Sequence, residues 1–147
     1  MSEAEDLYSE AIRYGLDIPD SLREASPAEM RAAWNGVGPE RMELVRVVLT
    51  AFLGFYKAAY FIHDWRYYKA LGTSHDWLDA NAQMERNCYA LLRRKLRWWQ
   101  FWRRPGLVAV AEGGRAAVDS SEGRAAYDAA YKARVAREFV PGPEAQA

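Results

Sequence analysis

Three residues, Gly72-Thr73-Ser74, separate two long stretches of helical periodicity, 55–71 and 75 to about 103. A link that short folds consecutive helices back on each other as an antiparallel pair. The rest of the chain must then pack around that hairpin.

Other segments read as helices too. Leu7, Tyr8, Ala11 and Ile12 form one stripe over 3–16, which Asp17-Ile18-Pro19-Asp20 breaks. Ser26-Pro27-Ala28-Glu29 is a capping box with proline at the first helical position, opening a short helix through Trp34. Asn35-Gly36-Val37-Gly38-Pro39 stops it, and an apolar helix follows over about 40–53, with Gly54 bending or ending it. Ser74 is the expected N-cap of the long second helix of the pair, and Pro105-Gly106 its end. Residues 107–111 read as a short apolar strand or packed loop. Ser120-Ser121-Glu122 opens a last helix to about 139, and 141–147 reads as a disordered tail. With no repeat or linker, the expectation is one domain over 1–140. Its class is all-α: a compact single-domain helical bundle built on the central pair. Half the residues are hydrophobic, enough for a core.

Several function classes are disfavoured. Twenty Lys plus Arg balance twenty Asp plus Glu, so no whole-surface nucleic-acid binder is expected. The single cysteine, Cys88, excludes an intramolecular disulfide and reads as a buried small residue. Two histidines without Cys/His ligand spacing argue against structural zinc, and no phosphate-binding glycine loop of the Walker type occurs. The acidic start, Met1-Ser2-Glu3-Ala4-Glu5-Asp6, has no apolar signal region, so synthesis in the cytoplasm without a signal peptide is expected. No uninterrupted apolar run approaches the ~20 residues that cross a bilayer.

Chemistry concentrates at Ile62-His63-Asp64-Trp65-Arg66-Tyr67. His63 and Tyr67 are four apart and share a helix face, while Asp64 lies about 100° around from His63. One helix can thus offer a base and a carboxylate to adjacent points. Downstream, Asp79 offers an acid on the second helix, with Asp76 as the alternative. The nearby His75-Asp76-Trp77 has no tyrosine four residues after its histidine, and Asp76 there is explained by the helix dipole.

His63-Asp64-x-x-Tyr67, the glycine turn 34–39 and an acid on the next helix together resemble the phospholipase A2 superfamily, closest to its disulfide-poor viral and phage-type members. The resemblance implies calcium-dependent hydrolysis of the sn-2 ester of phospholipids. His63 would be the base that activates water, with Asp79 and Tyr67 holding the imidazole. Ca2+ would sit on Asp64 and the backbone carbonyls of Trp34, Gly36 and Gly38. It also implies a virion-associated or injected protein, with virion or homo-oligomeric partners. The sequence departs from secreted members in the helix between glycine turn and dyad, in Val37 where cysteine is common, and in the missing flanking cysteines.

From Arg93 to Arg104 the chain carries six cations, no acid and four large aromatics. Arg97, Trp98, Trp99, Phe101 and Trp102 suit a phospholipid membrane surface. The same spacing with Leu91 and Leu92 suits packing on the core, and both readings stay open. Two further functions remain: a non-catalytic helical structural or interaction protein, and a nucleic-acid-binding module using this basic segment.

Overall fold

The computed structural model describes residues 2–34 and 54–139. The protein is all-α: the described residues form seven α-helices and no strand. They are α1 (Glu3–Arg13), α2 (Asp20–Arg23), α3 (Pro27–Ala33), α4 (Lys57–Tyr68), α5 (Ser74–Arg94), α6 (Arg104–Val118) and α7 (Ser121–Glu138). Short 3₁₀ turns, Gly54–Tyr56 and Trp98–Arg103, lead into α4 and α6. The glycine turn, the helix expected over 40–53 and the tail 141–147 lie outside the described residues.

The antiparallel pair is α4 and α5, which pack along each other. α4 buries Ala58, Ala59, Phe61, Ile62, His63 and Trp65, so it is apolar on most of its circumference. A helix of that kind must be surrounded, and α4 touches α1, α3, α5 and α7. α1 contributes Ala4, Leu7 and Ala11, one strip at helical spacing. α3 begins with the expected box: Ser26 Oγ accepts from Glu29 N–H at 3.3 Å, and Glu29 accepts from Ser26 N–H at 3.0 Å.

Several boundaries differ from the sequence expectation. α5 ends at Arg94, and Lys95 is drawn inward to Glu10 at 2.6 Å and to the Phe55 carbonyl at 3.0 Å. The tether sits at the C-cap of the helix. Residues 107–111 are helical, within α6, where Leu107 and Ala111 are buried one turn apart. Proline is accepted at the first turn of α6 because no N–H is needed there. Thr73, not Ser74, caps α5, its hydroxyl accepting from Asp76 N–H at 3.1 Å. A four-residue helix, α2, follows directly on the break at 17–20, with Leu22 fully buried.

α7 buries one side chain, Tyr127, and docks mainly through polar contacts on the turn after α4. Arg134 donates to the carbonyls of Lys69 and Ala70 at 3.1 and 2.8 Å, and Arg137 to that of Tyr68 at 3.1 Å. These carbonyls end a helix and have no intrahelical partner, so guanidinium groups complement them. Gly72 in this turn has φ +81°, and a Cβ there would meet the Tyr131 ring at 2.8 Å. Gly72→Ala is therefore expected to destabilise the fold by about 2 kcal/mol, combining a left-handed backbone with a steric clash. Equilibrium urea unfolding measures this. A neutral result would show that α7 does not press on the turn.

Candidate functional site

The three buried amides of α5 decide what surrounds His63. Ala80, Met84, Cys88 and Leu91 form the apolar spine of that helix, and Asn81, Gln83 and Asn87 lie beside it, all buried. Two of the amides fasten the chain at Asp17, and the third fastens the end of α6. Asn87 exchanges hydrogen bonds with the backbone of Asp17 at 2.8 and 2.9 Å, and Gln83 donates to the Asp17 carbonyl at 3.1 Å. Asn81 reaches the other way, to the end of α6. Its Nδ2 donates to the Val118 carbonyl at 3.0 Å and to Asp119 Oδ1 at 2.8 Å.

Those two acceptors fix the orientation of the Asn81 amide, since a carbonyl and a carboxylate cannot donate. Its Oδ1 is turned toward α4 and accepts twice. His63 Nε2 stands 3.1 Å away and the Tyr67 hydroxyl 3.2 Å away. Both must therefore donate, so the imidazole is the Nε2–H tautomer with its lone pair on Nδ1. Tyr67 also packs on the imidazole, ring centroids 4.2 Å apart. Asp119 is held in turn by Arg115, which pairs with Glu85 at 2.8 Å. A chain of polar contacts thus runs His63–Asn81–Asp119–Arg115–Glu85 through α4, α5 and α6.

Burial sets the protonation state. His63 is pushed down from 6.5 to about 4, chiefly because its charged form would lose water, with the Arg66 guanidinium adding to the effect and the Asn81 hydrogen bond opposing it. The Tyr67 phenol is pushed up to about 12, mainly by burial, so it remains a donor at physiological pH.

The residues expected at this site scatter. His63 and Tyr67 come together on one acceptor, as their spacing implied. Asp79 does not join them: its side chain is 55 % exposed and pairs with His75 Nδ1 at 3.2 Å. The reason is angular. Asp79 is two residues before Asn81, and two residues turn a helix by about 200°, so both cannot face α4. Asp76 does not reach His63 either. It accepts from Arg66 at 2.9 Å, from Leu71 N–H at 3.0 Å and from the Tyr127 hydroxyl at 2.5 Å. Burial raises its pKa, yet these donors together hold it below the usual carboxylate value. Its work is to anchor α7, beyond the helix-dipole role read from sequence.

Of the expected calcium ligands, Gly36 and Gly38 lie outside the described residues. Asp64 is half-buried on the strip next to His63. Trp34 approaches the same helix, its ring edge-on to Phe61 at 6.1 Å, one turn before Asp64. Its indole N–H donates to Glu3 at 3.0 Å. Among the described residues, no three His, Cys, Asp or Glu side chains converge as a metal site. A hard cation wants six or more oxygens, and these residues by themselves do not make such a cage.

The aromatic segment is not core. Trp98 is 87 % exposed, Phe101 72 %, Trp102 68 % and Trp99 52 %. No helix of the described residues is long and apolar enough to cross a membrane. Compared with known proteins, the chain matches no family model, no curated protein and no solved structure.

Sequence reasoning missed Asn81 because it searched for an acid. The available signal was positional: Asn81 lies three residues before Met84 and seven before Cys88, on the stripe of the helix that faces inward, and a buried amide must be satisfied. The low His63 pKa has a measurable consequence. Below pH 6.5 the unfolded chain takes up a proton that the native imidazole refuses, so this group's stability contribution is complete above pH 6.5 and is lost as pH falls toward about 4. Between pH 7 and 5 the wild type should lose about 2 kcal/mol more than His63→Gln. Urea unfolding of both proteins at the two values provides the check. Parallel pH profiles would mean the imidazole is not shielded in the native state.

Proposed function

We propose that this chain is a non-catalytic helical interaction domain, in which His63, Tyr67, Asn81 and Asp119 form a structural tie between α4, α5 and α6. One observation carries the reading: the partner of His63 is an amide whose orientation is dictated by the end of α6. A carboxylate beside an imidazole stabilises the imidazolium formed during proton abstraction, and a neutral amide does so far less. An imidazole held near pKa 4 is also a weak general base at neutral pH, since efficient bases sit near the working pH. A buried amide whose oxygen accepts twice and whose nitrogen donates twice suits the positioning of three helices.

Calcium-dependent hydrolysis of the phospholipid sn-2 ester is the second reading. It is favoured by the His63 tautomer, because Nε2–H toward the second helix leaves Nδ1 as the basic atom, as a water-activating histidine requires. On that reading His63 acts as base, Tyr67 and Asn81 orient it, and Ca2+ on Asp64 with the glycine turn, Trp34 included, would polarise the ester. Association with a virion or with further copies of the chain belongs to the same proposal.

Two measurements separate the readings. Fatty-acid release from phospholipid vesicles with calcium present should equal the protein-free background. Release that His63→Ala abolishes would establish the hydrolase instead. Asn81→Asp should destabilise the protein by about 3 kcal/mol, because two donated hydrogen bonds become contacts between acceptors at Val118 O and Asp119. If position 81 is a vacated acid site, the same variant will fold normally and gain activity.

A further inference from the structure

The exposed aromatics are organised by the turn that carries them. Trp98–Arg103 is two 3₁₀ turns joined at a kink, where Gln100 has non-helical backbone angles (φ −99°, ψ 15°). Trp98 and Trp99 precede the kink, Phe101 and Trp102 follow it, and all four side chains are exposed. Gln100 and Arg103 are the half-buried members of the segment. The kinked turn thus carries its four rings outward, with Gln100 and Arg103 toward the body of the protein.

This ledge is anchored at both ends. On one side Leu91 and Leu92 are buried and Lys95 is tethered to Glu10 and the Phe55 carbonyl. On the other, Leu107 is fully buried and its carbonyl accepts from the Tyr56 hydroxyl at 2.7 Å. Four large aromatics are thus held out in water by a fixed frame.

Charge identifies what the ledge meets. From Arg86 to Ala111 the chain has seven cations and no acid. Arg86 is engaged by Asp17, Arg94 by the carbonyls of Tyr14 and Gly15, and Lys95 by Glu10. Arg93, Arg97, Arg103 and Arg104 form no ion pair among the described residues. In sequence they flank the four aromatics. A second copy meeting this face through its own ledge would bring like charges together. A single-stranded nucleic acid is bound along a basic groove whose aromatics stack on bases, whereas this is a projecting edge on a chain of zero net charge.

We propose that the 97–104 ledge docks the protein on an anionic phospholipid bilayer, with Trp98, Trp99, Phe101 and Trp102 in the interfacial layer and the four arginines against lipid phosphates. The proposal names the partner of the interaction domain inferred above and rests on that reading.

The test uses the full chain with phosphatidylcholine vesicles, with and without phosphatidylserine, read by co-sedimentation and tryptophan emission. Binding with a blue shift is expected only on the anionic vesicles, weakening as salt screens the attraction. Trp98→Ser with Phe101→Ser should lower affinity by at least about tenfold. Arg97→Gln or Arg104→Gln should each cost about fivefold at low salt. Unchanged circular dichroism and melting would show that these exposed substitutions leave the fold intact.

Four outcomes overturn the proposal. They are no binding to either vesicle, equal binding to both, self-association that the Trp98→Ser variant abolishes, and tighter binding to a single-stranded oligonucleotide. Shielding of the tryptophans from acrylamide in the free protein would overturn it too, by showing that the chain covers the ledge itself. Fatty-acid release measured on the same vesicles keeps the two ideas apart. Docking with release removes the non-catalytic reading alone, and no docking with no release removes the membrane proposal alone.

Discussion

The architecture depends on a buried amide that two pure acceptors hold in one orientation. Asn81 donates to Val118 O and Asp119 and accepts from His63 and Tyr67. A buried polar group left without partners costs about 1–3 kcal/mol, so the four contacts stand or fall together. They set how α4, α5 and the end of α6 meet. They also choose the tautomer of His63 and, with burial, leave the imidazole neutral. What resembles a catalytic dyad in sequence thus serves packing in the reading favoured here.

A second polar node does for α7 what Asn81 does for α6. Asp76 gathers Arg66, the Leu71 N–H and the Tyr127 hydroxyl, and Tyr127 accepts in turn from Gly72 N–H at 3.0 Å. α7 has little apolar surface to offer, with Tyr127 its one buried side chain. Arginines on the open carbonyls of the turn, and Arg137 over the Tyr68 ring at 4.2 Å, make up for that. The hairpin at the centre is therefore locked by polar contacts at both flanks, over an apolar core shared by α1, α3, α4, α5 and α6.

On the non-catalytic reading proposed above, function falls to the surface. Four exposed aromatics beside unpaired arginines expose apolar area that folding alone does not explain. A site that needs strain or an unsatisfied group is not required for that surface to act. Among the described residues, the buried side-chain polar atoms are hydrogen-bonded except Tyr60 Oη and Trp77 Nε1.

Much of this was legible in the chain. The helical class, the α4–α5 hairpin, the Ser26 capping box and the pairing of His63 with Tyr67 all follow from spacing and from short-range chemistry, which act within a few residues. Three matters were decided by tertiary structure. Whether Asp79 or Asn81 faces His63 turns on the rotation of α5, which its apolar spine sets against its neighbours. Whether Trp98–Trp102 is core or surface turns on where α5 stops, and at that point Lys95 reaches Glu10, 85 residues away in sequence. The protonation of His63 turns on how completely the surrounding helices exclude water. Each of these depends on groups distant along the chain, and local sequence carries no record of which distant groups will meet.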